Sequence, residues 1–241
     1  MNLRLYVTRV SHIVEIVLIL TLTTSVAGYS QTPAPPNDIM TFFHEIMGEW
    51  IGTVEEYTSG VKADTKYFHA VNKQTSLDTY ESVFEYYRID KNTHAPVQIG
   101  LTKMTNRIAS DGVATNTITG KGDVFINPKT SKPEEHTLSE VLRMSHPGSL
   151  EGKGSGKISV AGLALGAGKN GKVSDYTSVW VLNNDILSIT EQLKVTFHVF
   201  LFAKRFEVVD KLEAKRGSDV MGLMSNAGGV PDPGKANSKK R

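Results

Sequence analysis

Cysteine is absent from the 241 residues, which excludes disulfides, thiolate-ligated zinc, thiol nucleophiles and lipid attachment at a cysteine after a leader. A strong charge bias is missing too. The formal net charge is +2 and the pI about 8.6. No Lys/Arg stripe with interleaved aromatics runs through the body, so no nucleic-acid partner is expected. The N-terminal apolar run, Ile13 to Leu22, falls short of the roughly 20 residues that a membrane-spanning helix needs. H-E-x-x-H, G-x-S-x-G and EF-hand patterns are lacking, and no histidine pair stands at metal-ligand spacing. Neither a metal nor another cofactor is expected, and no catalytic residue is assigned.

The chain begins with a leader-like segment. Arg4 and Arg9 precede the short apolar run, and Ser25-Val26-Ala27 supplies small residues at a cleavage point, although Glu15 interrupts the run. Residues 1–27 are therefore expected to be a signal peptide, and the product secreted or periplasmic, with no stable membrane insertion after processing. Residues 28–37 form a Pro-rich spacer. The remaining chain, about 210 residues, is long enough to bury roughly 70% of its unfolded surface.

Asn37 or Asp38 can cap a helix to about Met47, with Ile39, Phe42, Phe43 and Ile46 on one face and Gly48 ending it. Strand patterns then dominate: 49–57, 64–72, 75–89, 96–108, 113–119, 122–127, and a meander over 176–182, 186–194 and 197–209. Residues 131–144 support either a helix capped at Ser131 with Pro133 in its first turn, or a strand; β-neighbours on both sides favour the strand. Gly166 to Gly171 matches G-x-G-x-x-G, but Val173 stands where a phosphate loop needs Ser or Thr, and no βαβ unit surrounds it. A flexible connection or a strand of small residues is the expectation over 148–172. From Gly217 the composition turns Gly/Pro/Lys-rich, which predicts a disordered basic tail over 217–241.

The pattern predicts an all-β fold, an antiparallel up-and-down barrel of about 8–10 strands with a short N-terminal helix, over residues 38–216. Phe42-Phe43-His44-Glu45-Ile46-Met47-Gly48-Glu49-Trp50-Ile51-Gly52 resembles the start of calycin-type (lipocalin-like) proteins, and within them an uncharacterised DUF1579-like family. There a helical turn leads into G-x-W on the first strand. The resemblance implies that a cation from the last strand crosses the Trp, with Lys204 or Arg205 in the matching position. Gly48, Trp50, Lys204 and Arg205 are thus the expected barrel-closing set. Such contacts are worth roughly 0.5 to 2 kcal/mol.

Alternation along 75–89 places Glu81, Val83 and Glu85 on one face and Tyr80, Phe84 and Tyr86 on the other. With the acidic face solvated, Tyr80, Phe84 and Tyr86 are expected to line an interior ligand pocket. His69 and His198 lie on strands and could face the interior; nitrobindin-like barrels, by resemblance, use such an imidazole to hold haem iron. Exposure or ordinary hydrogen bonding is the favoured expectation for both. The expected partner is one small apolar molecule inside the barrel. Two further classes stay open: a barrel enzyme using an internal Tyr or Glu, and a structural or partner-binding envelope protein.

Overall fold

The computed structural model describes residues 38–90, 92–93, 95–122, 134–160, 169–199 and 202–228. The leader, the spacer, all but Gly122 of the strand expected over 122–127, the first half of the G-x-G-x-x-G segment and the tail from 229 lie outside the described residues. One short helix, α1 (Ile39–Glu45), is followed by ten strands and a second helix. The strands are β1 (Gly48–Thr58), β2 (Val61–Ser76), β3 (Thr79–Ile89), β4 (Pro96–Ile108), β5 (Ala114–Gly122), β6 (Glu134–His146), β7 (Ser149–Val160), β8 (Lys169–Asn183), β9 (Ile186–Val199) and β10 (Phe202–Arg216). Each pairs with its sequence neighbours and β1 pairs with β10, so the sheet closes into an antiparallel up-and-down barrel. The ambiguous segment is strand β6.

The barrel is strongly sheared. A row of paired residues starting at Trp50 on β1 runs through Ala70, Phe84, Thr102, Gly120, His136, Ile158, Gly171 and Phe197 to Lys204 on β10. Trp50 itself pairs with Arg216, so one circuit climbs β10 from position 204 to 216. Strands in such a barrel tilt by about 35–45° to the axis. The two ends of β10 consequently sit at opposite ends of the barrel.

Inward positions alternate with outward ones along every strand, as the two-residue period requires. At one end α1 inserts Ile39, Phe42 and Phe43, all buried. Asp38 caps the helix by accepting from the Thr41 backbone N–H at 2.8 Å and its hydroxyl at 2.6 Å, and those bonds hold the Asp38 carboxyl below its ordinary value. Phe43 stacks on Tyr80, with ring centroids 5.4 Å apart, and meets Trp180 edge-on at 6.3 Å. This aromatic floor fills the end of the barrel.

Seven glycines of the described chain would place a Cβ within 3.0 Å of strand neighbours. In β7, Gly152, Gly154 and Gly156 let the sheet approach β6 side chains and backbone, so the small-residue stretch is a strand whose lack of side chains is used.

The tail expectation needs correction. Residues Val220–Gly228 form helix α2 on the outside of the barrel. Val220 and Met224 bury themselves with Ile51, against Tyr67, Tyr87, Ile89 and Leu223. Asp219 accepts from the Gly222 N–H at 2.8 Å and starts the helix. Composition missed this because Val220, Leu223 and Met224 form an i, i+3, i+4 apolar face inside an otherwise polar segment.

Candidate functional site

Two regions of the interior carry polar chemistry, and they differ in kind. The first is the floor. Carbonyls at the end of α1 lose their helical partners; that of His44 accepts from the Met47 N–H, and those of Glu45, Ile46 and Met47 find side chains. Trp50 Nε1 donates to the Ile46 carbonyl at 2.8 Å, and Asn72 Nδ2 donates to the same oxygen at 2.9 Å. Arg216 donates to the Met47 carbonyl at 2.9 Å and to the Glu45 carbonyl at 2.5 Å. Its guanidinium lies over the Trp50 ring, 4.7 Å from the centroid. Gly48 turns the chain between helix and strand at φ 101°, a conformation that side chains disfavour. Gly52 permits the β10 backbone to approach, since a Cβ there would lie 2.0 Å from the Glu213 carbonyl oxygen.

The cation over Trp50 is therefore Arg216, not Lys204 or Arg205. Those two residues sit at the far end of β10, where they pair with Phe197 and Thr196. Arg205 is exposed and borders a half-open depression of about 500 Å³, with Ser59, Ser174, Lys194 and Glu207 also on its rim. The last strand does supply the cation; the shear of the barrel decides which of its ends meets β1.

The second region is a belt of buried polar side chains around the middle of the barrel. Glu56 on β1 pairs with Asp210 on β10, Asp210 with Glu191 on β9, and Glu191 with Ser178 on β8. Ser178 pairs with Gly152 on β7, and into the space left by that glycine reaches Glu140 of β6. Glu140 continues to Asn116 on β5 and Asn106 on β4. All of these side chains are buried. Eight of the ten strands contribute, β7 through its missing side chain.

Hydrogen bonds knit the belt. Ser178 Oγ donates to Glu140 Oε2 at 2.6 Å and Asn116 Nδ2 donates to Glu140 Oε1 at 2.8 Å. Trp180 Nε1 in turn donates to Ser178 Oγ at 3.1 Å. Tyr176 donates to Glu191 Oε1 at 2.5 Å. Lys66 on β2, fully buried, forms an ion pair with Glu56 at 2.6 Å. Asn106 has neither amide nitrogen nor amide oxygen hydrogen-bonded, and the Asn116 oxygen is likewise unmatched. An unmatched buried polar group costs about 1–3 kcal/mol.

Burial disfavours charge, and the belt shows it. Burial pushes the Glu191 carboxyl up to about 7, against the pull of the Tyr176 hydroxyl and with help from the Glu140 charge. Glu140 is also raised by burial, opposed by its bonds from Ser178 and Asn116. Tyr176 and Tyr86 are driven well above the ordinary phenol value, by burial first and then by the nearby Glu191 charge. The Asp210 charge acts on Tyr86 in the same direction. The Tyr86 hydroxyl bonds Thr102, which lies 3.5 Å from His136 Nε2. His136 is buried over Gly120, and burial lowers its value to about 4, so the imidazole is neutral.

Of the residues expected to line a pocket, Tyr80, Phe84 and Tyr86 all face inward and are buried. They do not form one group. Tyr80 belongs to the floor through Phe43. Phe84 and Tyr86 stack at 6.3 Å and join Phe68 on β2, and the buried charges of Glu191 and Asp210 bear on Tyr86. Glu81, partly buried, lies on the outer face, as does Glu85. His69, for which exposure or ordinary hydrogen bonding is the favoured expectation, is outward: its ring nitrogens lie 3.3 Å from Glu49 and 3.8 Å from Glu85. The His198 side chain lies outside the described set.

The interior acids were not singled out from the sequence, although a signal exists. Glu140, Glu191 and Asp210 each stand between apolar residues two positions before and after: Leu138 and Leu142, Ile189 and Leu193, Val208 and Leu212. In a strand that places the carboxylate on the buried face. Among the described residues no group of three or more His, Asp or Glu is arranged to hold a metal ion. Neither a family model, a curated protein nor a solved structure matches the chain.

Proposed function

We propose that the barrel binds a small molecule in its interior, with an apolar body against the aromatic walls and a polar end at the belt. The observation that carries this is Asn106, fully buried with both amide atoms unmatched, on the inward face of β4 beside Asn116. A ligand offering a hydrogen-bonding group removes that cost. The setting supports it. A barrel of about eight strands is just wide enough for side chains or one small ligand, and this one has ten. Phe68, Phe84 and Tyr86 supply an apolar wall next to the polar groups, the usual composition of a binding cavity. The arrangement accords with the calycin-like resemblance and with an exported carrier or sensor.

Native mass spectrometry of the exported chain tests it. A co-purified mass lost on denaturation is the expected result. A bare chain that also fails to take up any small amphiphile while folded refutes interior binding.

One observation favours a second class. Glu191, held near neutrality in its titration and bonded to Tyr176, has the profile of a general acid or base. An enzyme built on that pair would show a pH–rate profile with an inflection near 7 that Glu191→Gln abolishes.

A further inference from the structure

Building on interior binding, we infer that the polar end of the ligand is a protonated amine, received by the acidic belt between Glu191, Glu140 and the two asparagines. The belt is acceptor-rich. Four carboxylates, Glu56, Glu140, Glu191 and Asp210, are buried among the described residues, and one buried cation, Lys66, accompanies them on β2 beside Glu56. Among the described residues, Arg88 is engaged with Asp64 at 2.5 Å and is partly exposed, and Arg216 is held at the floor over Trp50 by the Met47 and Glu45 carbonyls. His136, neutral, and the phenols of Tyr86 and Tyr176 add no positive charge.

A second observation, independent of the acids, points to the same kind of ligand. The amide oxygens of Asn106 and Asn116 are both buried and unmatched, and Asn116 sits on Glu140. Two orphan amide oxygens next to a carboxylate ask for N–H donors; Asn106 Nδ2 adds one donor to the site. An ammonium group presents three donors and no acceptor, and its charge offsets carboxylates that burial otherwise drives toward protonation. An anionic head would meet the acids with like charge, and a hydroxyl would leave them uncompensated.

The aromatic neighbours suit the apolar body of such a cation. Trp180 donates to Ser178, which in turn donates to Glu140, so its fluorescence offers an optical readout of events at the belt.

The test uses the full chain and three probes of equal length, octylamine, octanol and octanoate, with affinity read by calorimetry and by tryptophan fluorescence at pH 8. The amine is expected to bind at least about tenfold more tightly than the alcohol, and octanoate most weakly, in line with charge complementarity at a desolvated site. Glu191→Gln and Glu140→Gln, which keep side-chain size, are expected to narrow the gap between amine and alcohol by weakening the amine more than the alcohol. The wild-type series is decisive even if a variant unfolds. Octanol or octanoate binding as tightly as octylamine overturns the amine and leaves interior binding standing. No binding of any probe to the folded protein overturns both.

Discussion

Glu191→Gln isolates the energetic cost of the belt. The substitution keeps the shape of the side chain and an oxygen to accept from Tyr176, and it removes the charge. In the folded chain the Glu191 carboxyl titrates at about 7, against an ordinary value of 4.5. Between those values the folded state holds a proton that the unfolded state releases. Stability from this group is thus fully present below pH 4.5 and is lost as pH rises through about 7. The interval corresponds to about 3 kcal/mol. The variant should match wild type in acid and exceed it by up to that amount above neutrality, a rise of roughly 6–12 °C in melting temperature for a domain of this size. His136 acts in the same window with the opposite sign. Its value falls from 6.5 to about 4, so stability is lost as pH drops through that range. The two slopes nearly cancel in wild type, and the difference between variant and wild type exposes the Glu191 component. Urea unfolding at a series of pH values measures it. A difference that is the same in acid and above neutrality, or a variant less stable at high pH, refutes a carboxyl destabilised by burial.

Three other substitutions probe the frame around the belt. Gly152→Ala places a methyl 2.0 Å from Glu140 Oε2 and 2.3 Å from Ser178 Oγ, and should cost about 1–3 kcal/mol in denaturant unfolding, with a smaller loss in a Glu140→Ala background. Arg216→Lys gives up the fork that caps two carbonyls over Trp50 and should cost about 1–2 kcal/mol, whereas Arg205→Lys should stay within about 0.5 kcal/mol; equal effects in thermal melts contradict the assignment of Arg216. Met224→Ala should loosen α2 by about 2 kcal/mol and speed proteolytic loss of the C-terminal segment, and unchanged cleavage rates show that the helix is not held there.

The barrel was legible in the sequence because its signals are local. Alternation along β3 and β4, the capped helix before Gly48 and the Asn184 turn each identify themselves within a few residues. What was not legible depends on the closure of the sheet. Whether β10 presents Lys204 or Arg216 to Trp50 is fixed by shear, a property of ten registers together, and no window of sequence contains it. The same holds for the belt. Glu56, Asp210, Glu191 and Glu140 are far apart in the chain and become a row only when neighbouring strands pair. Their inward orientation could be read strand by strand from the flanking apolar residues; their convergence could not. The strand boundary near 197–202 was misplaced for a local reason, since Phe197 to Val209 is nearly all compatible with strand and the break between β9 and β10 carries no glycine or proline.

Floor and belt obey different energetics, and the difference separates architecture from function. The floor joins aromatic packing to hydrogen bonds that leave the helix carbonyls satisfied, so each partner there adds stability and truncating Trp50 should cost about 3–5 kcal/mol. The belt works the other way. Buried carboxylates are commonly replaced by apolar residues of similar volume with no loss of stability or with a gain. A barrel selected for stability alone would fill these positions as it fills Ile118, Leu138 and Leu193 beside them. Polar groups held at a cost, gathered from eight strands into one row and next to an amide with no partner, are what a binding function requires and a folding function does not. The G-x-W opening thus shapes the closed end of the barrel, while the proposed binding chemistry rests on acids that no contiguous motif contains.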